Sequence, residues 1–136
     1  MNRALEHEIR RLAGNRCEYC GLPESFIRLK FTLDHVVARQ HGGLDNLENL
    51  ALACGYCNRH KGPNIAGIDP ETGTMSRLFH PRSDVWLEHF RWQGAELIGV
   101  TPAGRATIAV LDMNGRYQIS IRRAMMNEGI FGAPEP

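Results

Sequence analysis

Two cysteine pairs of one form, Cys17-Glu-Tyr-Cys20 and Cys54-Gly-Tyr-Cys57, constrain this chain more than any other feature. Each pair brings two sulfurs within reach of one ion, and four thiolates complete the closed tetrahedral set that zinc accepts in structural sites. Residues 21–53 must then leave the site and return to it. The competing reading, redox-active or simply buried dithiols, is weakened by the repetition of the pair. Zinc held this way contributes on the order of 10 kcal/mol to folding, so chelation is expected to loosen the N-terminal half.

Location bears on the same choice. The opening MNRALEHEIRRLAG carries charges throughout and has no apolar signal core. No window approaches the roughly 20 apolar residues of a membrane span. A cytoplasmic protein without a membrane partner is expected, and there four patterned cysteines favour zinc over disulfides. With 136 residues, one domain is expected over 1–136. The 16 basic and 15 acidic residues leave a net charge of +1, which excludes a polybasic DNA-coating protein. A nucleic-acid site would need its basic residues gathered in space.

The pattern along the chain is α+β. Leu5, Ile9 and Leu12 lie on one face of a short helix ended by Gly14, and residues 28–37 read as a strand with Asp34 near its exit. Residues 39–49 form a polar loop with Gly42-Gly43, where Asp45 and Asn46 add turn chemistry. Leu50-Ala51-Leu52-Ala53 suits a second strand, and Cys57 to Lys61 begins a short helix stopped by Gly62-Pro63. Residues 63–75 read as a connector. A helix over 84–91, a hairpin over 95–113, and a last helix over about 115–127 capped by Asn114 complete the expectation, with a frayed GIFGAPEP tail.

At LDHVVARQHGG, followed by NLENLALACGYCNRHKG, the chain resembles the HNH endonucleases of the His-Me-finger group, in their small bacterial form with a four-cysteine zinc site. The resemblance covers about residues 12–62, and LFHPRSDVWLEHFRW resembles the downstream part of such proteins, within an α/β extension over about 76–130. It implies a ββα-metal finger with a zinc knuckle, followed here by a C-terminal hairpin and helix. It implies phosphodiester cleavage with a divalent ion, Mg2+ or Mn2+, alongside the structural Zn2+. By motif position His35 is the general base, Asp34 and Asn58 are the metal ligands, and Asn49 shapes the loop and orients the base. Asn58 stands where the second histidine of the family's name often stands, and its amide oxygen still suits magnesium.

These residue types suit the reaction. A neutral imidazole takes a proton from water near neutral pH. A carboxylate and an amide oxygen are hard ligands, and magnesium needs only one or two of them beside water and phosphate oxygens. Arg59 and Lys61, on the helix with Asn58, are the expected phosphate contacts. Trp86, Phe90 and Trp92 are expected to pack as core, and Arg122-Arg123 to lie on an exposed helix face. The expected partner is nucleic acid, DNA foremost, with no obligate protein partner. Two alternatives stand beside DNA cleavage: an RNA-cleaving nuclease of the same fold, and a zinc-supported nucleic-acid-binding protein with little or no catalysis.

Overall fold

A computed structural model describes residues 2–131. Residues 132–136 of the expected frayed tail lie outside the described residues. The chain forms two compact units, one running to Ile65 and taking in His80–Asp84, the other comprising Ala66–Phe79 and Val85 onward.

The first unit opens with helix α1, Arg3–Ala13. Asn2 caps it, its Oδ1 accepting from Leu5 N at 2.8 Å, and Gly14 ends it in the left-handed region at φ 62°. Ile9 is buried, whereas Leu12, expected on the same inner face, is 44% exposed. Residues 17–22 close a tight knuckle through Cys17 N to Leu22 O at 2.9 Å and Gly21 N to Cys17 O at 2.9 Å. Strand β1 is Thr32–His35, shorter than the ten residues expected. It pairs antiparallel with β2, Leu50–Ala53, with Asp34 opposite Ala51 and His35 opposite Leu50. All four residues of β2 are buried, so the strand reads as an unbroken apolar run rather than an alternating one. Helix α2, Gly55–Lys61, follows at once and completes a ββα core.

The loop between β1 and β2 is held by glycines and one asparagine. Gly42 sits at φ 92°, and a Cβ on Gly43 would lie 1.7 Å from Val37 O. Only glycine fits at that second position. The segment His80–Asp84 adds an ion pair from Arg82 to Glu18, and the other Glu18 oxygen accepts from Leu52 N at 2.8 Å. Arg82 thus braces the residue that sits between the first two cysteines.

In the second unit, two strands stand inside the expected connector and just beyond it: β3, Ala66–Ile68, pairs antiparallel with β4, Met75–Arg77. The expected helix over 84–91 is instead a short 3-10 turn, Trp86–Glu88, leading into strand β5, Phe90–Gln93. Strand β5 pairs with β6, Glu96–Gly99. The second half of the expected 95–113 hairpin is helix α3, Pro102–Val110. Thr101 caps it, its hydroxyl accepting from Gly104 N at 3.0 Å, and Pro102 takes the first turn, where no N–H is needed. Helix α4, Arg116–Asn127, ends the described chain, with Gly115 rather than Asn114 at its N-cap. The side chain of Asn114 bridges Leu97 N and O, each at 2.8 Å.

The aromatic packing agrees with the core reading. Phe90 packs between Phe79, edge-on at 5.2 Å, and Trp86, tilted at 4.9 Å, and Trp92 meets Trp86 and Phe131 at 5.7 and 5.2 Å. Phe131, in the tail expected to fray, is buried. Arg122 is fully buried rather than on an exposed face, its guanidinium 5.3 Å from the Trp92 ring and donating to Ala95 O at 2.7 Å. Arg123 is exposed as expected.

Candidate active site and metal centre

The four cysteines converge. Cys17, Cys20, Cys54 and Cys57 are buried, unbridged, and place their sulfurs within 4.8 Å of one another. At a Zn–S distance of about 2.3 Å a tetrahedral site has S–S edges near 3.8 Å. Cys20 Sγ and Cys54 Sγ are 3.8 Å apart. The first pair comes from the knuckle. The second spans the start of α2, where Cys54 is the cap residue and its sulfur accepts from Cys57 N at 3.4 Å.

Electrostatics argue for a cation there. Hydrogen bonds from Cys17, Cys20 and Cys57 hold the Cys54 thiol well below its usual range. The Cys20 and Cys57 thiols are pushed well up, first by hydrogen bonding with Cys17 and then with Cys54 for Cys20 and with Cys20 and Cys54 for Cys57, and by burial. Four buried sulfurs cannot all ionise together unless a positive ion compensates them. Donor type, spacing and burial fit a closed structural zinc site.

Strand alternation puts Thr32 and Asp34 on one face of β1, and α2 meets both. Asn58 Nδ2 donates to Thr32 Oγ1 at 3.1 Å. The Lys61 ammonium pairs with Asp34 Oδ2 at 3.2 Å and donates to His35 O at 3.1 Å. Tyr19, from the cysteine knuckle, donates its hydroxyl to Asp34 Oδ2 at 2.7 Å. Burial pushes the Asp34 carboxyl up, against the pull of Lys61 and Tyr19. The Tyr19 phenol is pushed well above its usual value by burial and by the negative charge of Asp34.

Thr32, which Asn58 contacts, and Asp34 thus share one face of β1 against α2, but Asp34 is 4% exposed and already paired with the Lys61 ammonium. Lys61, expected to face phosphate, is 1% exposed with its ammonium turned inward among oxygen acceptors. The desolvated carboxylate explains the inversion, because a buried charge needs a partner. Arg59 is exposed on the same helix, and His60 leans back on Tyr56, with ring centroids 4.1 Å apart.

His35 ends β1 and its imidazole meets the loop. Its Nε2 lies 2.7 Å from Asp45 Oδ1. Arg39 grips the same carboxylate with two bonds, Nε to Oδ1 at 3.1 Å and Nη2 to Oδ2 at 2.7 Å. That guanidinium, ahead of His35, holds the Asp45 carboxyl well below the usual carboxylate range. Asn49 is buried and clasps the loop from within. Its Oδ1 accepts from Val37 N at 2.9 Å, and its Nδ2 donates to Val37 O at 2.9 Å and Leu44 O at 3.0 Å. Asn49 therefore acts on the loop backbone, and Asp45, the neighbour of Leu44, touches the imidazole.

Sequence reasoning assigned no site role to Tyr19, Arg39 or Asp45. Tyr19 had a positional signal, lying inside the first cysteine pair. The six-residue separation of Arg39 and Asp45 has no regular-structure meaning and acquires one only when the loop closes.

Residues 17–64 match the family model described as HNH endonuclease. No curated protein and no solved structure matches the chain. The matched stretch contains all four cysteines, both strands of the ββα core and α2, so this part of the chain is an HNH-endonuclease-like domain with a four-cysteine cluster consistent with structural zinc. No helix among the described residues is long and apolar enough to cross a membrane.

Proposed function

We propose that this protein is a cytoplasmic metal-dependent endonuclease that hydrolyses phosphodiester bonds of nucleic acid, DNA foremost. The reading rests on one arrangement: His35 at the end of β1, with Asp34 and Asn58 on a ββα frame closed by four thiols. His35, in its neutral form, accepts the proton of a water whose oxygen attacks phosphorus in line. The phosphorus–O3′ bond breaks, and the leaving oxygen takes a proton from solvent, giving 5′-phosphate and 3′-hydroxyl ends.

Asp34 and Asn58 would hold one Mg2+ or Mn2+. Their hard oxygen donors fit such an ion, and the oxygens around Lys61 already favour positive charge on this face. When bound, the ion supplies compensation for charge gathering on the phosphate and leaving oxygen. In the free protein Lys61 compensates Asp34, and loading the ion requires that ammonium to give way. Asn49 keeps the loop in shape, and exposed Arg59 contributes a phosphate contact.

The test is cleavage of supercoiled and linear DNA, and of matched RNA, with magnesium or manganese. Wild type should cut, and His35→Ala should cut about 10²–10⁴-fold more slowly. Equal rates in a verified His35→Ala preparation would remove the base from the mechanism. Faster cutting of RNA would reassign the substrate. One observation favours a second reading, a zinc-supported nucleic-acid-binding protein with little catalysis: the Asp34 carboxylate is already spent on Lys61 and Tyr19. Salt-sensitive DNA binding with no cutting under any metal would select it.

A further inference from the structure

We infer that Asp45, braced by Arg39, is a positioning residue for His35: it fixes the imidazole as the Nε2–H tautomer and leaves Nδ1 as the nitrogen that receives the proton of water. The inference deepens the nuclease reading and rests on it for the role of His35.

The argument begins with what each atom can donate. An ionised carboxylate only accepts hydrogen bonds. Asp45 is gripped by both arms of the Arg39 fork, at 3.1 and 2.7 Å, which favours its ionised form. Its Oδ1 also lies 2.7 Å from His35 Nε2, too close for two lone pairs to face each other. The proton of that contact therefore belongs to Nε2. A neutral imidazole has one N–H and one lone pair, so the lone pair lies on Nδ1.

The loop gives the carboxylate a fixed address. Asn49 holds Leu44 O at 3.0 Å and Val37 O at 2.9 Å, and Gly43 N donates to Ala38 O at 3.0 Å. Gly43 approaches the Val37 carbonyl so closely that a Cβ would collide with it. Just after Asp45, Asn46 O accepts from Asn49 N at 3.0 Å, so the carboxylate hangs from a backbone pinned on both sides. Hydrogen-bond partners of this kind set the tautomer and ring orientation of functional histidines elsewhere.

The test uses full-length, zinc-loaded, magnesium-free protein labelled with ¹⁵N at its histidines. Long-range ¹H–¹⁵N spectra are recorded for wild type, Asp45→Asn and Asp45→Ala, and His35→Ala identifies the signal among the six histidines. Wild type should show a protonated Nε2 and an unprotonated Nδ1 at His35. The Asp45→Ala spectrum should show mixed tautomers, and Asp45→Asn should do the same while preserving side-chain shape. A protonated Nδ1 in wild type, or an unchanged His35 signal in both variants, overturns the inference.

A kinetic arm separates it from the parent reading. If wild type cleaves, Asp45→Ala should lower kcat about 10–100-fold with KM little changed, and Arg39→Lys, which loses the fork but keeps the charge, should lower it less. Unchanged kcat, or a change confined to KM, rejects Asp45 as a positioning residue and leaves the nuclease intact. If wild type cuts no nucleic acid while the ring spectra come out as expected, the nuclease reading fails and the tautomer assignment stands.

Discussion

In the unit that carries the cysteines, much of what is buried is polar. Four thiols, Asp34, Asn49 and Lys61 lie inside it, each meeting a partner chosen by charge or hydrogen-bonding capacity. Its sheet has two strands of four residues, too little to stand alone in water. The other unit has two hairpins, and its interior is mainly apolar, with Phe79, Phe90, Leu97, Leu111, Met113 and Phe131 buried beside Asp69, Thr107, Gln118 and Arg122. One unit gathers its buried polar groups around four sulfurs, whereas the other sets its buried polar groups within a broader apolar interior. The first stakes its fold on a few atoms, whereas the second spreads the load.

Removing metal should show this contrast most strongly. A strong chelator, or Cys54→Ser, should withdraw stabilisation on the order of 10 kcal/mol from the cysteine unit. Hydrogen exchange should then speed up across β1, β2 and α2. Both tryptophans lie in the other unit, so their fluorescence should change little. Loss of both signals together, or of neither, would break the comparison.

Single substitutions come next in size. Lys61→Met leaves Asp34 buried without its cation and should cost about 3–5 kcal/mol, and adding Asp34→Asn should restore most of it. Chemical denaturation of the two variants checks both statements, and an additive double variant would show that the pair is not coupled. Phe90→Ala in the apolar unit should cost about 3–5 kcal/mol through the cavity it opens. Its exchange signature should lie in β5 and β6, not near the cysteines.

The smallest effect is a pH response. Asp69, buried in the second unit, is held well below the usual carboxylate range, first by the Arg105 fork at 2.9 and 2.9 Å and also by Glu71 N and Thr72. Its folded pKa lies below its unfolded one, so this stabilisation is present above about pH 4 and fades as pH falls toward the depressed value. Asp69→Asn should flatten the acid limb of stability for this unit, followed by tryptophan fluorescence. An unchanged acid limb would remove Asp69 from the account.

Legibility in the sequence followed the same division. The cysteine pairs, the apolar 50–53 strand and the Gly42-Gly43 loop were readable because each encodes a local requirement: ligand spacing, burial on both faces, or a backbone that excludes Cβ. The 84–91 segment misled because Trp86 and Phe90 stand four apart, the spacing of a helix face. Packing resolved it otherwise, with a short turn delivering Trp86 onto a strand whose Phe90 and Trp92 lie on the same side. The Thr101-Pro102 start of α3 did carry a local signal, a capping hydroxyl followed by proline, which the apolar alternation around it obscured.

By itself the sequence determined the four sulfurs that gather in one cluster, the order of strand, loop, strand and helix around them, and the residue types on which the proposed hydrolytic centre draws. Those follow from chemistry that acts over a few bonds or one turn. Tertiary structure alone decided that Lys61 turns inward to Asp34, that Tyr19 ties the cysteine knuckle to β1, and that Asp45 rather than Asn49 meets His35. Each joins groups separated along the chain by a loop, a strand or more. A partner for a desolvated charge is chosen by proximity after folding, which no spacing rule records.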